Sequence, residues 1–156
     1  MIPEPMEKRL SKEWGIKSED DIKKKLFENY TEGNKLADIL DAEKLVVLSF
    51  AMGNILSGRN VGLKASKLRQ FYETLLNIKS LIKNKTEHFK TNVIPQILKL
   101  KPKLAYEKAR APREITPFFE VINPLPELVF DEKDYNTLCN FVEAILAYHK
   151  YCGGRE

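Results

Sequence analysis

The residues with chemistry to offer are cations and an aromatic ring at helical spacing. Lys99, Lys103, Tyr106 and Arg110 recur at intervals of four, three and four. At about 100° per residue they fall in one narrow stripe of a helix. Cations one and two turns apart can follow the phosphates of a nucleic-acid backbone, and a tyrosine between them offers a stacking ring or a hydroxyl for a phosphate. Lys64, Lys67 and Arg69 cluster where a second helix begins, with Ser66 as its N-cap candidate. Backbone N–H groups at such a helix start would add donors for an anion. Two such helices packed together would make one cationic groove open to water. The competing explanation is a solvated, Lys-rich helix face with no ligand.

The charge distribution points the same way. The net charge of +4 is mild, but residues 61–113 hold thirteen Lys/Arg against three Glu, while residues 114–156 hold three Lys/Arg against eight acids. Residues 1–60 are near balance. Such asymmetry suggests a polyanion partner for the middle third and head-to-tail contacts between copies.

Other chemistries find little support. The seven glycines are scattered and form no phosphate-cradling loop. Of the two histidines, His149 falls in an apolar helical rhythm and suits a core or interface role, while His88 beside Glu87 looks like surface; neither has metal-binding spacing. Cys139 and Cys152 lie thirteen residues apart on one predicted helix, about 20 Å, too far for a bridge within the chain. Acid pairs such as Asp20/Asp21 sit in first turns, where they complement a helix dipole. The sequence therefore predicts no enzyme, no metal and no cofactor. With 156 residues, 43% hydrophobic and 31% charged, it describes one soluble globular domain. Its longest apolar stretch, residues 45–52, is far short of a membrane span, and MIPEPMEKRL lacks the apolar block of a secretion signal. The expected location is cytoplasmic.

The elements that must position these residues are helical. Ser18 and the acids after it predict a helix over residues 18–30, stopped before Gly33. A second covers 35–56, with Asp41 as a fresh start inside it; its LVVLSFAM segment is apolar on nearly every side, as in a buried central helix. A third starts at Ser66 and places Leu68, Phe71, Tyr72, Leu75, Leu76 and Ile82 in amphipathic rhythm. A fourth spans 86–110, where Pro95 and Pro102 predict kinks or a break. Four prolines between 112 and 126 leave room for a short helix over 118–122, and the last helix starts near Asp131 and closes at Gly153-Gly154. Nothing alternates with period two. The fold class is all-α: a compact bundle of about five main helices over 18–156, with 1–17 as a loosely held extension.

Three stretches carry a family likeness. LKASKLRQFYETL (residues 63–75), LKPKLAYEKAR (100–110) and NFVEAILAYHKYCGGRE (140–156) resemble the small helical subunit of the type III-A CRISPR effector, the Csm complex. That family shows a Ser/Thr-capped start with an apolar-Arg pair, a KxxLAYxxGR-like segment and an FFEAxxAYxKxxGG ending, in this order. The likeness covers about the last ninety residues. It implies an all-helical, non-catalytic subunit of an antiviral ribonucleoprotein. Several copies would stack along the inner side of the filament, beside other Csm subunits, and line the path of target RNA paired to the CRISPR guide RNA. RNA cleavage would belong to a neighbouring subunit. Arg69 takes the apolar-Arg position, Lys103 the central basic position of the second segment and Arg110 its terminal arginine; Lys64 and Lys67 rest on charge alone. Ala109 stands where the family often has glycine, so a tight turn there becomes a continuing helix. Val142 and Cys152 replace common aromatics. The rival expectation is an interaction-only helical scaffold with no direct RNA contact.

Overall fold

Four of the helices among the described residues, those that begin at Glu19, Leu36, Ala42 and Glu132, start at a side-chain cap or a capping box. The computed structural model describes residues 1–82 and 88–156. Helix α1, Met6–Glu13, follows Pro5. Helix α2, Glu19–Leu26, begins at Ser18, whose N–H donates to the Asp21 carboxylate at 3.1 Å. The short α3, Leu36–Ile39, repeats that arrangement with Lys35 and Asp38 at 2.9 Å. Asp41 then caps α4, Ala42–Ser57, by accepting from the Lys44 N–H at 2.9 Å. Next come α5, Ala65–Lys79, a π-helical turn at Phe89–Val93, α6, Ile94–Leu98, and α7, Leu100–Arg110. Helix α8, Pro112–Ile122, a 3-10 turn at Leu125–Leu128 and α9, Glu132–Tyr151, complete the chain. Among the described residues there is no strand, as the absence of period-two alternation predicts.

Helix α9 is the axis of the bundle, packed against α4 on one side and α5 on another. Leu48, Met52 and Leu56 of α4 meet the buried Leu138, Phe141, Val142 and Ile145 of α9, and Leu68 and Leu75 of α5 close the core. Each such side chain contributes roughly 1.5–3 kcal/mol through burial. Gly53 lets the two central helices approach closely: a Cβ there would sit 2.6 Å from the His149 nitrogen. Polar ties fix the register. The Asp134 carboxylate, nearly fully buried, accepts from Ala37 N–H and Phe130 N–H at 3.0 Å each, tethering α3 to α9. The Tyr135 hydroxyl donates to the Leu75 carbonyl at 2.7 Å. Tyr72 of α5 donates to the Glu143 carboxylate, a bond that pushes its hydroxyl up to about 12 and keeps it a neutral donor.

The structure refines several expectations. Asp41 divides the predicted helix over 35–56 into α3 and α4. The predicted start of the fourth helix at residue 86 lies outside the described residues. From His88 onward that segment is a π-helical turn and two helices, each with its proline in the first turn, where a missing N–H goes unnoticed. Helix α8 is longer than the expected 118–122, since Pro112 starts it and Pro117 is tolerated inside it. Residues 1–17, expected as a loose extension, contain α1, which packs on α4, and Trp14 and Ile16, which lie against the core. Cys139 and Cys152 are free thiols, and burial pushes both up.

Candidate nucleic-acid interface

Helices α5 and α7 face one another across a cleft of about 470 Å³. Lys67 and Gln70 contribute from α5, and Lys103, Tyr106 and Glu107 from α7. A smaller cleft of about 280 Å³ adjoins it, lined by Thr74 and Asn77 on one side and Gln96, Lys99 and Lys103 on the other. Lys103 borders both. The two walls are polar stripes at helical spacing: 67, 70, 74 and 77 on α5, and 96 on α6, 99 at the junction of α6 and α7, and 103 and 106 on α7. Their order shows that the walls run antiparallel, over about 15 Å of helix.

Helix α7 divides its cations by face. Lys101 reaches the Asn123 carbonyl at 2.6 Å and Glu127 at 3.6 Å, and Lys108 pairs with Glu120 at 3.3 Å. Those two bind α7 to the elements that follow it. Lys99 and Lys103 are exposed, and among the described residues they have no carboxylate partner. Tyr106 is 62% exposed, and the Arg110 guanidinium lies 5.8 Å from its ring centre. Glu107 lies between two cations: its carboxylate accepts from Lys67 Nζ at 3.5 Å and stands 3.8 Å from an Arg110 nitrogen. Helix α7 runs unbroken through Ala109, which puts Arg110 one turn beyond Tyr106 on the same stripe.

The start of α5 differs from expectation. Its N-cap is Lys64, not Ser66, and Lys64 is exposed. The N–H groups where the sequence places an anion have acceptors within the chain. Ala65 N–H donates to the Arg155 carbonyl at 2.8 Å and Ser66 N–H to the Glu156 main-chain oxygen at 3.4 Å, while Lys67 and Leu68 N–H turn back to the Lys64 carbonyl. Arg69 lines neither cleft. It points to the same C-terminal segment and meets the Glu156 carboxylate at 3.1 Å, with Lys150 on the other oxygen at 2.6 Å. His149 supports this corner from inside. It is fully buried and donates from Nε2 to the Leu63 carbonyl at 2.6 Å, in the core role the sequence assigns to it.

Of the seven predicted residues, Lys67, Lys99, Lys103 and Tyr106 therefore line two adjoining clefts that share Lys103. Arg110 extends the stripe beyond them, and Lys64 and Arg69 lie elsewhere on α5. Gln70, Thr74 and Asn77 complete these clefts without having been singled out from the sequence. Their spacing from Lys67 was the available signal. Among the described residues, no three His, Cys, Asp or Glu side chains gather to hold a metal, and no helix is long and apolar enough to cross a membrane.

The family model described as Csm2 Type III-A matches residues 40–155. The chain belongs to the Csm2 family. The match reaches upstream of the three motif segments to take in α4, the helix against which α9 packs. No curated protein and no solved structure matches the chain. Membership in the Csm2 family makes the chain a small subunit of the type III-A CRISPR effector complex, a structural component associated with the other Csm subunits and the guide-RNA complex.

Proposed function

We propose that this Csm2-family subunit contacts RNA directly through the groove between α5 and α7, holding target RNA paired to the guide within the assembled effector in the cytoplasm, as part of antiviral defence. The observation that carries this reading is the convergence of Lys67, Lys99, Lys103 and Tyr106 on two adjoining, solvent-open clefts, with Lys99 and Lys103 left unneutralised by the fold. Cations at one-turn intervals match a phosphate backbone and carry no base code, so the guide supplies sequence choice by pairing. Arg110 and Lys64 extend the positive field beyond the same end of the groove, the one bordered by Lys67 and Tyr106. Arg69 reaches a phosphate only by exchanging it for Glu156.

Catalysis is left to other subunits, and the acidic C-terminal part serves contacts between copies and with neighbouring Csm proteins. Several weak contacts repeated along a filament add, so one isolated copy need not bind RNA tightly. RNA–protein cross-linking on the assembled complex separates this reading from an interaction-only scaffold. RNA adducts on peptides within residues 64–110 support direct contact. Cross-links from that segment to protein alone favour the scaffold.

A further inference from the structure

We propose that the larger cleft takes up one unpaired base of the RNA strand whose phosphates the cations at its mouth hold. The inference rests on the RNA-contacting reading and assigns a role to a feature that reading does not need: the cleft's apolar depth. A groove that only tracked phosphates would have no use for a hydrophobic floor. Here the floor is formed by the buried Leu68, Leu104, Ile115 and Phe118, with the half-buried Phe71 standing edge-on to Phe118 at 5.4 Å and 85°. At about 470 Å³ the space lies in the range of small-molecule clefts.

Charge at the mouth selects the occupant. An apolar side chain from a protein neighbour would fill the floor but would leave Lys103 facing no anion. A nucleotide satisfies both zones at once, with its base against Phe71 and its phosphates at Lys103 and Lys67. Stacking on an aromatic ring suits every base because every base has a π-face, so such a cleft keeps the sequence tolerance expected where pairing supplies specificity. Gln70 and Glu107 at the rim add a carboxamide and a carboxylate for the polar edge of the base. A base stacked and paired within a duplex cannot enter, so the occupant is one displaced from pairing.

Target RNA substituted with 4-thiouridine, which cross-links through the base, tests this in the assembled complex. Irradiation is expected to give adducts on Phe71 or Tyr106. Phe71→Leu should lower their yield about fivefold or more, as removal of one stacking ring implies, while salt-dependent RNA retention persists. The map on the unaltered protein stands even if that variant folds poorly. Base adducts confined to residues outside the cleft, with RNA retention still weakened by Lys67→Glu and Lys103→Glu, would overturn the base-binding role and leave the RNA contact standing. Adducts nowhere on this subunit, with retention unmoved by the charge reversals, would remove both.

Discussion

Lys67 and Glu107 are joined across the groove: the ammonium of α5 lies 3.5 Å from the carboxylate of α7, and Arg110 takes the other oxygen of the same carboxylate at 3.8 Å. One internal anion therefore holds two of the cations that a phosphate would need. Both members of the cross-groove pair are about a third exposed, 35% and 32%, so the pair contributes no more than about 1 kcal/mol to folding. Its larger effect is on ligand binding, because RNA must displace it.

Glu107→Gln is accordingly expected to strengthen target-RNA retention a few-fold while changing stability by less than about 1 kcal/mol. Filter retention by complexes carrying the variant, alongside thermal denaturation of the isolated subunit, checks both halves. Weaker retention would show that Glu107 organises the groove and does not compete for its cations.

The close approach of α4 and α9 at Gly53 predicts a penalty for any side chain there. A Cβ would lie 2.6 Å from the His149 nitrogen and 2.7 Å from the Tyr148 carbonyl carbon, and backbone cannot yield as a flexible side chain can. Gly53→Ala should destabilise the subunit by about 1–3 kcal/mol, read as a lower urea midpoint at unchanged slope.

The C-terminal segment closes the start of α5, and Gly154 keeps it in place beneath the His149 ring, 2.2 Å from where a Cβ would stand. Gly154→Ala should push the segment away and free the Ala65 and Ser66 N–H groups that it now occupies. Hydrogen exchange at those two amides is expected to accelerate at least tenfold, with the exchange of α4 amides little changed.

Acid should loosen the bundle through Glu120. Lys23 holds its carboxyl below the ordinary value of 4.5, with burial opposing and Lys108 adding to the effect. A carboxyl lowered by folding contributes stability that is fully present above pH 4.5 and is lost as pH falls through the lowered value. Thermal midpoints should therefore hold steady above about pH 5 and drop below it. Glu120→Gln should make that drop shallower by roughly 1–3 °C.

Much of this architecture was legible because local physics decided it. The caps at Ser18, Asp41 and Asp131 and the closure after Tyr151 are written in residue types that bond to their own backbone. The groove was half legible: the stripe 99–103–106–110 follows from periodicity, and its facing wall needed the packing of α5. What the sequence hid depends on distant partners. Ser66 has the chemistry of an N-cap, yet Arg155 and Glu156, some ninety residues away, supply the acceptors that a cap would provide. The same long-range contact turns Arg69 toward Glu156. Helix α1 was missed because its gain comes from α4 and not from its own composition, in which charge dominates.

The central claim is that the α5–α7 groove holds RNA phosphates. Its most direct test is target-RNA retention as a function of salt by complexes carrying Lys67→Glu and Lys103→Glu together. Taking two phosphate-binding cations from each copy should weaken retention and flatten the log–log salt slope by about 0.7–0.9 for each phosphate no longer neutralised, with the helical signal of the subunit unchanged. Wild-type retention and slope in a folded double variant would contradict the account.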